Sequence, residues 1–249
     1  MRSKIMTGLT SITFRALDWR AVVAVTKDCG LDGIEWGGDI HVPPGGEARA
    51  REVRRATEEA GLAVLSYGSY YRLGEGEPFE PVLASAQALG AKIIRVWAGA
   101  KGSAQTTAKA RARAVEDARR VADMAQAQGT TVALEYHRNT LTDTSESAAA
   151  LLSEAGRGNL KSYWQPNPEL RHEENLRELG EMLPWLTYLH VFQWEACGRR
   201  CCLQDGEAEW RAYMRVAKKH AQAAILEFVR DDAPAQCAKD AETLRRICG

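Results

Sequence analysis

Residues 108–139, "AKARARAVEDARRVADMAQAQGTTVALEYHRN", contain the structural unit from which the fold can be predicted. Ala and Val recur at spacings of three and four over residues 108–129, which predicts a helix with one apolar face. Gly129 is of the residue type that commonly ends helices, and the apolar run at 131–136 then predicts a buried strand. A helix joined by one short turn to a buried strand is typical of parallel α/β folds.

The same alternation of strand and helix recurs along the whole chain. Gly30, Gly61 and Gly90 each end a helical pattern just before a strand, as Gly129 does. Eight such units in 249 residues predict a single-domain (β/α)8 TIM barrel over residues 1–249. A doubly wound open sheet is the alternative, but it usually carries a glycine-rich phosphate loop that is missing after the first strand here. The predicted strands are 8–14, 32–36, 63–68, 92–97, 131–136, 160–164, 187–192 and 223–229.

The charge balance argues against a protein that binds nucleic acid or a membrane. Lys plus Arg and Asp plus Glu number 33 each, so no excess of positive charge attracts a polyanion. No apolar run approaches the roughly 20 residues that span a bilayer, and the N-terminus lacks the apolar core of a secretory signal. We therefore expect a cytoplasmic protein that acts on a small molecule, without nucleic-acid or membrane partners; a homo-oligomer is compatible with the sequence.

Charged side chains occur where the predicted strands end. Glu135 and Glu227 lie in otherwise apolar strands, each directly after Leu, and His190 lies within "YLHVF". The active site of a TIM barrel is built at the C-terminal ends of its strands. Because an unpaired buried carboxylate costs several kcal/mol, each Glu must either pair with a barrel arginine or serve as a metal ligand or acid/base. Two carboxylates and an imidazole suit Mn²⁺, Mg²⁺, Co²⁺ or Zn²⁺.

The loops that follow the strands offer side chains suited to binding a polyol. Trp36 and Trp97 present flat faces to a sugar's C–H surface, although packing at the top of the barrel explains them equally well. Charged and polar groups could bond hydroxyls, a carboxylate or a phosphate. The predicted polar contacts to substrate are His41, His137, Arg138, Asn167 and Arg230.

Three local motifs resemble a known family: "GIEWGGDIHVP" (33–43), "SYGSYYR" (66–72) and "EYHRNTLTDT" (135–144). With Glu on the fifth strand, His on the seventh and Glu on the eighth, the chain is similar to the xylose isomerase-like TIM barrels. The similarity is closest to their sugar phosphate isomerase/epimerase branch.

This resemblance implies a divalent cation held by Glu135, a residue of the sixth strand, His190 and Glu227. It also implies that Glu135 and Glu227 form an acid/base pair that moves a substrate proton through an enediolate. We therefore expect a metal-dependent isomerase or epimerase acting on a sugar, a sugar phosphate or a related polyol.

The sixth strand departs from the family pattern. Members usually have Asp at its end and often His three residues later, where this chain has Gln165 and Pro168. An amide oxygen can coordinate a hard cation but adds no negative charge, so we expect Gln165 as a weaker fourth ligand. If it abolishes metal binding, a non-catalytic sugar- or metabolite-binding barrel becomes the alternative. An apurinic-endonuclease-like metallohydrolase is disfavoured by the five histidines and the zero net charge.

Overall fold

A computed structural model describes residues 5–249 as a closed barrel of eight parallel strands in sequence order, each followed by a helix. The predicted (β/α)8 fold is therefore confirmed; residues 1–4, which the predicted domain includes, lie outside the described part. Strands β1 to β8 are Met6–Thr10, Gly33–Gly37, Ala63–Arg72, Ile93–Trp97, Thr131–Leu134, Leu160–Trp164, Leu186–Val191 and Ala223–Leu226. Helices α1 to α8 are Trp19–Asp28, Glu47–Glu59, Glu80–Leu89, Ala108–Gln126, Ser145–Ala155, His172–Met182, Glu207–Ala217 and Pro234–Cys248.

The helix ends follow the signals in the sequence. Gly30, Gly61, Gly90 and Gly129 have φ of +65°, +80°, +78° and +65°, the left-handed conformation in which glycine carries no Cβ penalty. The apolar face predicted for α4 packs onto the barrel, as expected for a helix that covers a parallel sheet. Among the described helices, none is long and apolar enough to cross a membrane.

β1 and β8 end several residues earlier than predicted because the chain turns at the mouth of the barrel, and β5 ends two residues earlier than predicted, at Leu134. β1 ends at Thr10, and residues 11–14 form a 3₁₀ turn in which the Ser11 hydroxyl accepts the Gly37 N–H at 2.8 Å. β8 ends at Leu226, because Phe228 has φ of +52° and cannot continue an extended strand. Apolar composition alone carries no signal for either turn.

The barrel interior is apolar in its lower layer, further back along the strands, and charged in its upper layer, at the C-terminal ends of the strands. Successive side chains of a strand point to opposite faces, so residues two apart share the interior. Below, the interior is filled by Leu65, Ile93, Ala133, Tyr163, Tyr188, Ala223 and Ile225. Two residues further along β4, β5, β7 and β8, the interior positions are Arg95, Glu135, His190 and Glu227. The apolar layer therefore supports a charged layer at the mouth.

Gly33→Ala tests how tightly the strands approach one another. A Cβ at Gly33 would press against the Ala63 carbonyl oxygen and lie 2.9 Å from Leu65 Cγ. Overpacking of this kind costs about 1–3 kcal/mol, equivalent to a Tm loss of several degrees. Gly180→Ala on α6 is the control: no atom lies within 4 Å, and better helix propensity should stabilise by up to about 1 kcal/mol. An unchanged Tm for Gly33→Ala in thermal denaturation would contradict the close approach.

Candidate active site

Three of the predicted ligands meet at the top of the barrel interior. Glu135 and Glu227 directly follow β5 and β8, and His190 lies in β7. One ligand atom from each residue lies within 4.8 Å of the other two, and all three side chains are buried. His190 Nδ1 is 3.6 Å from Glu135 Oε1 and 3.5 Å from Glu227 Oε2. Residues about 40 to 90 positions apart in sequence thus form one compact group.

Arg95 and Glu35 support this group from inside the barrel. The Arg95 guanidinium pairs with Glu35 Oε1 at 3.2 Å and, through Nη1, with Glu135 Oε2. Glu35 Oε1 also lies 3.2 Å from His190 Nε2, and the Ser66 hydroxyl donates to Glu35 Oε2 at 2.7 Å. Glu135 therefore has the arginine partner that the sequence left open, and the same network also fixes the orientation of the His190 ring.

The two glutamates of the cluster differ in basicity. Burial raises the pKa of Glu135, but the charge of Arg95 and the hydrogen bond and charge of His190 together outweigh burial and hold that pKa low, at about 2. Burial raises the pKa of Glu227; His190 opposes the rise, and the charge of Glu135 adds to it. Burial alone would lower the pKa of His190, but the charges of Glu227 and Glu35 raise it to about 10. Glu227 is therefore the more basic carboxylate.

The donor set fits a divalent cation. His190 Nδ1 and Gln165 Oε1 are buried and have no hydrogen-bond partner among the described residues. Buried polar atoms in proteins are normally paired, so these two atoms indicate a missing partner, and a bound cation would take the place of the proton on His190 Nδ1. Carboxylate, imidazole and amide oxygens together suit Mn²⁺, Mg²⁺, Co²⁺ or Zn²⁺. With Nδ1 deprotonated for coordination His190 is neutral, so three carboxylates face one guanidinium and the excess negative charge also favours a cation.

A cavity with about 520 Å³ of empty space, part of it open to solvent, lies above the cluster. Glu227 and Gln165 reach it from below. The predicted substrate contacts that line it are His137, Arg138 and Asn167. Its remaining lining residues are Tyr136, Asp143, Pro166, Pro168, Phe192, Trp194 and Phe228. Polar groups thus converge on one side, and aromatic rings form much of the remaining wall.

The His137 imidazole is held in a defined orientation at this cavity. Its Nδ1 lies 2.5 Å from the Arg138 carbonyl oxygen, which can only accept, so Nδ1 carries the proton and Nε2 is the acceptor nitrogen of the neutral ring. The ring packs on Trp97 with centroids 4.8 Å apart, and Arg72 lies over the same indole. Trp97 therefore contacts the site through His137.

Three predicted substrate contacts lie away from the cavity. Trp36 follows Glu35 by one residue, so strand alternation turns it outward, where it is fully buried between barrel and helices. His41 is buried with both ring nitrogens engaged, by the Ser11 hydroxyl and the Leu17 carbonyl. Arg230 lies in an exposed 3₁₀ turn and pairs with Gln236 Oε1 at 3.3 Å. A position at or after the C-terminal end of a strand therefore does not by itself place a side chain at the cavity.

Sequence reasoning left out three residues that shape the site. Glu35 and Arg95 are single charges within the apolar strands "GIEWG" and "IIRVW", the same signal that singled out Glu135. That signal was therefore available on the second and fourth strands. Phe228 had no comparable signal, because an aromatic residue after a strand usually belongs to the core.

The chain is similar to known proteins over most of its length. The family model described as xylose isomerase-like TIM barrel matches residues 23–247. A 3-dehydroshikimate dehydratase of Bacillus anthracis is 26% identical in an alignment 216 residues long, which covers 75% of this chain and 75% of that protein.

Two solved structures share the fold. A probable 3-DHS dehydratase from Bacillus anthracis superposes with a TM-score of 0.82 at 21% identity, over 97% of this chain and 99% of that chain. The 3-keto-D-glucoside 4-epimerase of E. coli superposes with a TM-score of 0.74 at 19% identity, over 98% of this chain and 99% of that chain. At these identities the likeness establishes the fold and leaves the reaction open.

Arg95→Met tests the buried ion network. Without the guanidinium, Glu35 and Glu135 stay buried and uncompensated, which should cost about 3–5 kcal/mol in chemical denaturation. Arg111→Ala is the control, since it removes a more exposed pair with Glu154 at 2.9 Å and should cost less than about 1 kcal/mol. Equal losses for the two variants would show that the network contributes nothing beyond a surface pair.

Gln165→Asp tests the fourth ligand. A carboxylate at this position adds negative charge beside the cluster, so Mn²⁺ should bind at least about tenfold more tightly. Titration calorimetry on chelator-treated protein gives the affinity. The control is Gln128→Asp, which adds the same charge at the exposed end of α4, at the opposite end of the barrel. If both variants bind Mn²⁺ as the wild-type protein does, residue 165 is no ligand.

Proposed function

The chain belongs to the xylose isomerase-like TIM-barrel family, and from this premise we propose that it is a metal-dependent enzyme acting on a small hydroxylated carbonyl compound. The reaction begins when a carboxylate removes the proton from the carbon beside the carbonyl. The observation that carries the proposal is the convergence of Glu135, His190 and Glu227 below a cavity of about 520 Å³.

Glu227 is the base in this proposal. Its carboxylate lines the cavity, and its pKa is raised chiefly by burial, so it accepts a proton more readily than Glu135 does. Arg95 pairs with Glu135 and Glu35, not with Glu227. A base whose pKa lies closer to the working pH is the more effective proton acceptor.

Glu135, Gln165, His190 and Glu227 would hold the cation. When bound, the cation supplies positive charge that stabilises the negative charge developing on the substrate oxygen. Arg95 neutralises Glu135 from the inner side, and Glu35 keeps the His190 ring turned so that Nδ1 faces the cluster. These residues hold the ligand geometry before the substrate arrives, which is the usual source of electrostatic stabilisation in enzymes.

Removal of this proton from the substrate gives an enediolate, which can react further in two ways. Donation of a proton by Glu135, once protonated, to the other face of the same carbon gives epimerisation, and return of the proton from Glu227 to the neighbouring carbon gives isomerisation. Loss of the hydroxyl one carbon further gives dehydration: the C–O bond breaks, a C=C bond forms, and the hydroxyl leaves as water with a proton from His137, whose Nε2 must first take up a proton from solvent.

Two observations favour dehydration. The ion pair with Arg95 lowers the pKa of Glu135, which makes it a reluctant proton donor. In addition, the curated relative at 26% identity is a 3-dehydroshikimate dehydratase. Arg138 at the cavity rim suits a substrate that carries a carboxylate.

Turnover in D₂O tests the proposal and separates the two outcomes. The probes are 3-dehydroshikimate and the ketoses D-psicose and D-fructose, each followed by NMR with Mn²⁺ present. A dehydratase forms a product lacking one water, whereas an epimerase or isomerase forms a deuterated isomer of the probe. A protein that binds a probe without exchange or turnover would instead be a non-catalytic binding barrel.

Glu227→Gln should abolish the exchange while the fold is retained. The amide cannot accept the proton, so the rate of exchange should fall by about 10²–10⁴-fold. Circular dichroism and Tm check that the barrel remains intact. Glu195→Gln, at an exposed position outside the cavity, is the control and should exchange at the wild-type rate. Exchange at the wild-type rate in Glu227→Gln would remove Glu227 as the base.

A further inference from the structure

Phe228 has a backbone conformation that is rare for a bulky side chain. Its φ is +52°, in the left-handed region where only glycine is free of a Cβ clash. It directly follows Glu227, the base of the proposed reaction. Residues held in such conformations cluster at functional sites, because only a surrounding structure that over-determines the backbone retains them.

The left-handed turn places the Phe228 ring at the mouth of the barrel. In β8, Ile225 points into the barrel and Leu226 outward, so Glu227 points inward and an extended residue 228 would point outward again. Instead, the half-buried Phe228 lines the active-site cavity and also a second cavity of about 600 Å³ behind it. The turn thus converts an outer-layer position into a wall between the two cavities.

Hydrogen bonds to the 3₁₀ turn after β1 and to the end of β7 hold this turn. The Phe228 N–H donates to the buried Thr13 hydroxyl at 3.0 Å, and the preceding Glu227 N–H donates to the Val191 carbonyl at 3.0 Å. Two consecutive amides are therefore fixed on either side of the Glu227 side chain. The guanidiniums of Arg15 and Arg200 lie 5.3 and 4.6 Å from the ring centroid of Phe228.

We propose that Phe228 is a positioning residue. Its left-handed turn and its fixed ring direct the Glu227 carboxylate toward His190, and the ring forms the wall of the cavity beside the substrate. The assignment rests on the proposed function for its kinetic consequence. It also has a consequence without substrate, because Glu227 is a member of the candidate cation site.

Phe228→Gly tests the ring separately from the left-handed turn, because it removes the ring and keeps the backbone conformation. Glycine adopts φ of +52° without a Cβ clash, so the variant should unfold at a Tm close to or above that of the wild-type protein. Without the clamped ring, the turn is free to move and Glu227 loses its fixed direction. Mn²⁺ affinity should fall by about tenfold, and kcat by at least about tenfold with a smaller change in KM.

Asp231→Gly is the matched control. Asp231 is another left-handed residue of the same loop, with φ of +62°, but it is exposed and lines neither cavity. Its variant should keep Mn²⁺ affinity, kcat and KM within about twofold of wild type. Equal losses in both variants would mean that general loop rigidity matters and that Phe228 has no specific role.

Thr13 provides a second test that leaves Phe228 in place. Thr13→Val is similar in size but leaves the Phe228 N–H without its acceptor, so it should lower kcat and Mn²⁺ affinity as Phe228→Gly does. Thr13→Ser retains the hydroxyl and should restore both quantities to within about threefold of wild type. Wild-type kcat and Mn²⁺ affinity in both Phe228→Gly and Thr13→Val would overturn the assignment.

The two readouts separate this inference from the proposed reaction. If the wild-type protein exchanges no carbon-bound proton with any probe but binds Mn²⁺, the proposed function fails and the Mn²⁺ affinities of the variants still decide the role of Phe228. If the wild-type protein neither exchanges nor binds Mn²⁺, both proposals are wrong. Wild-type exchange combined with unaffected variants rejects the role of Phe228 alone.

Discussion

The buried guanidinium of Arg95 is the interaction on which the upper half of the barrel depends. Glu35 and Glu135 are both buried beside it, and neither could remain ionised there without its charge. Glu35 in turn contacts His190, so a single cation orders two carboxylates and one imidazole from three different strands. An apolar layer of barrel residues packs directly below this network.

This arrangement makes the two glutamates of the candidate site unequal. Glu135 pairs with the permanently charged Arg95, whereas Glu227 lines the cavity with His190 3.5 Å away, and burial is the main influence that raises the pKa of Glu227. Inequality of this kind is how a site assigns different proton-transfer roles to chemically identical side chains. The family resemblance implied that Glu135 and Glu227 form an acid/base pair; the inequality favours Glu227 as the base, and the proposed dehydration uses His137 as the proton donor.

The loop after β8 has backbone conformations that lower stability at a position next to the candidate active site. Phe228 holds a left-handed conformation that costs about 1–3 kcal/mol, and Asp231 and Asp232 are left-handed as well. A chain selected for stability alone would place glycine at such positions. The ring of Phe228 instead has the guanidiniums of Arg15 and Arg200 within 5.3 Å of its centroid and lines the active-site cavity.

Local sequence patterns were sufficient to predict the barrel, its helix ends and the cluster of Glu135, His190 and Glu227. Periodicity and glycine caps act over a few residues, and a carboxylate in an apolar strand is conspicuous wherever it occurs. Only the tertiary structure decided which loop residues reach the cavity: it turned Trp36 outward, engaged both nitrogens of His41, and brought Phe228 inward. It also joined Arg95 to Glu135, because contacts between strands depend on the barrel's closure and register, which no short stretch of sequence contains.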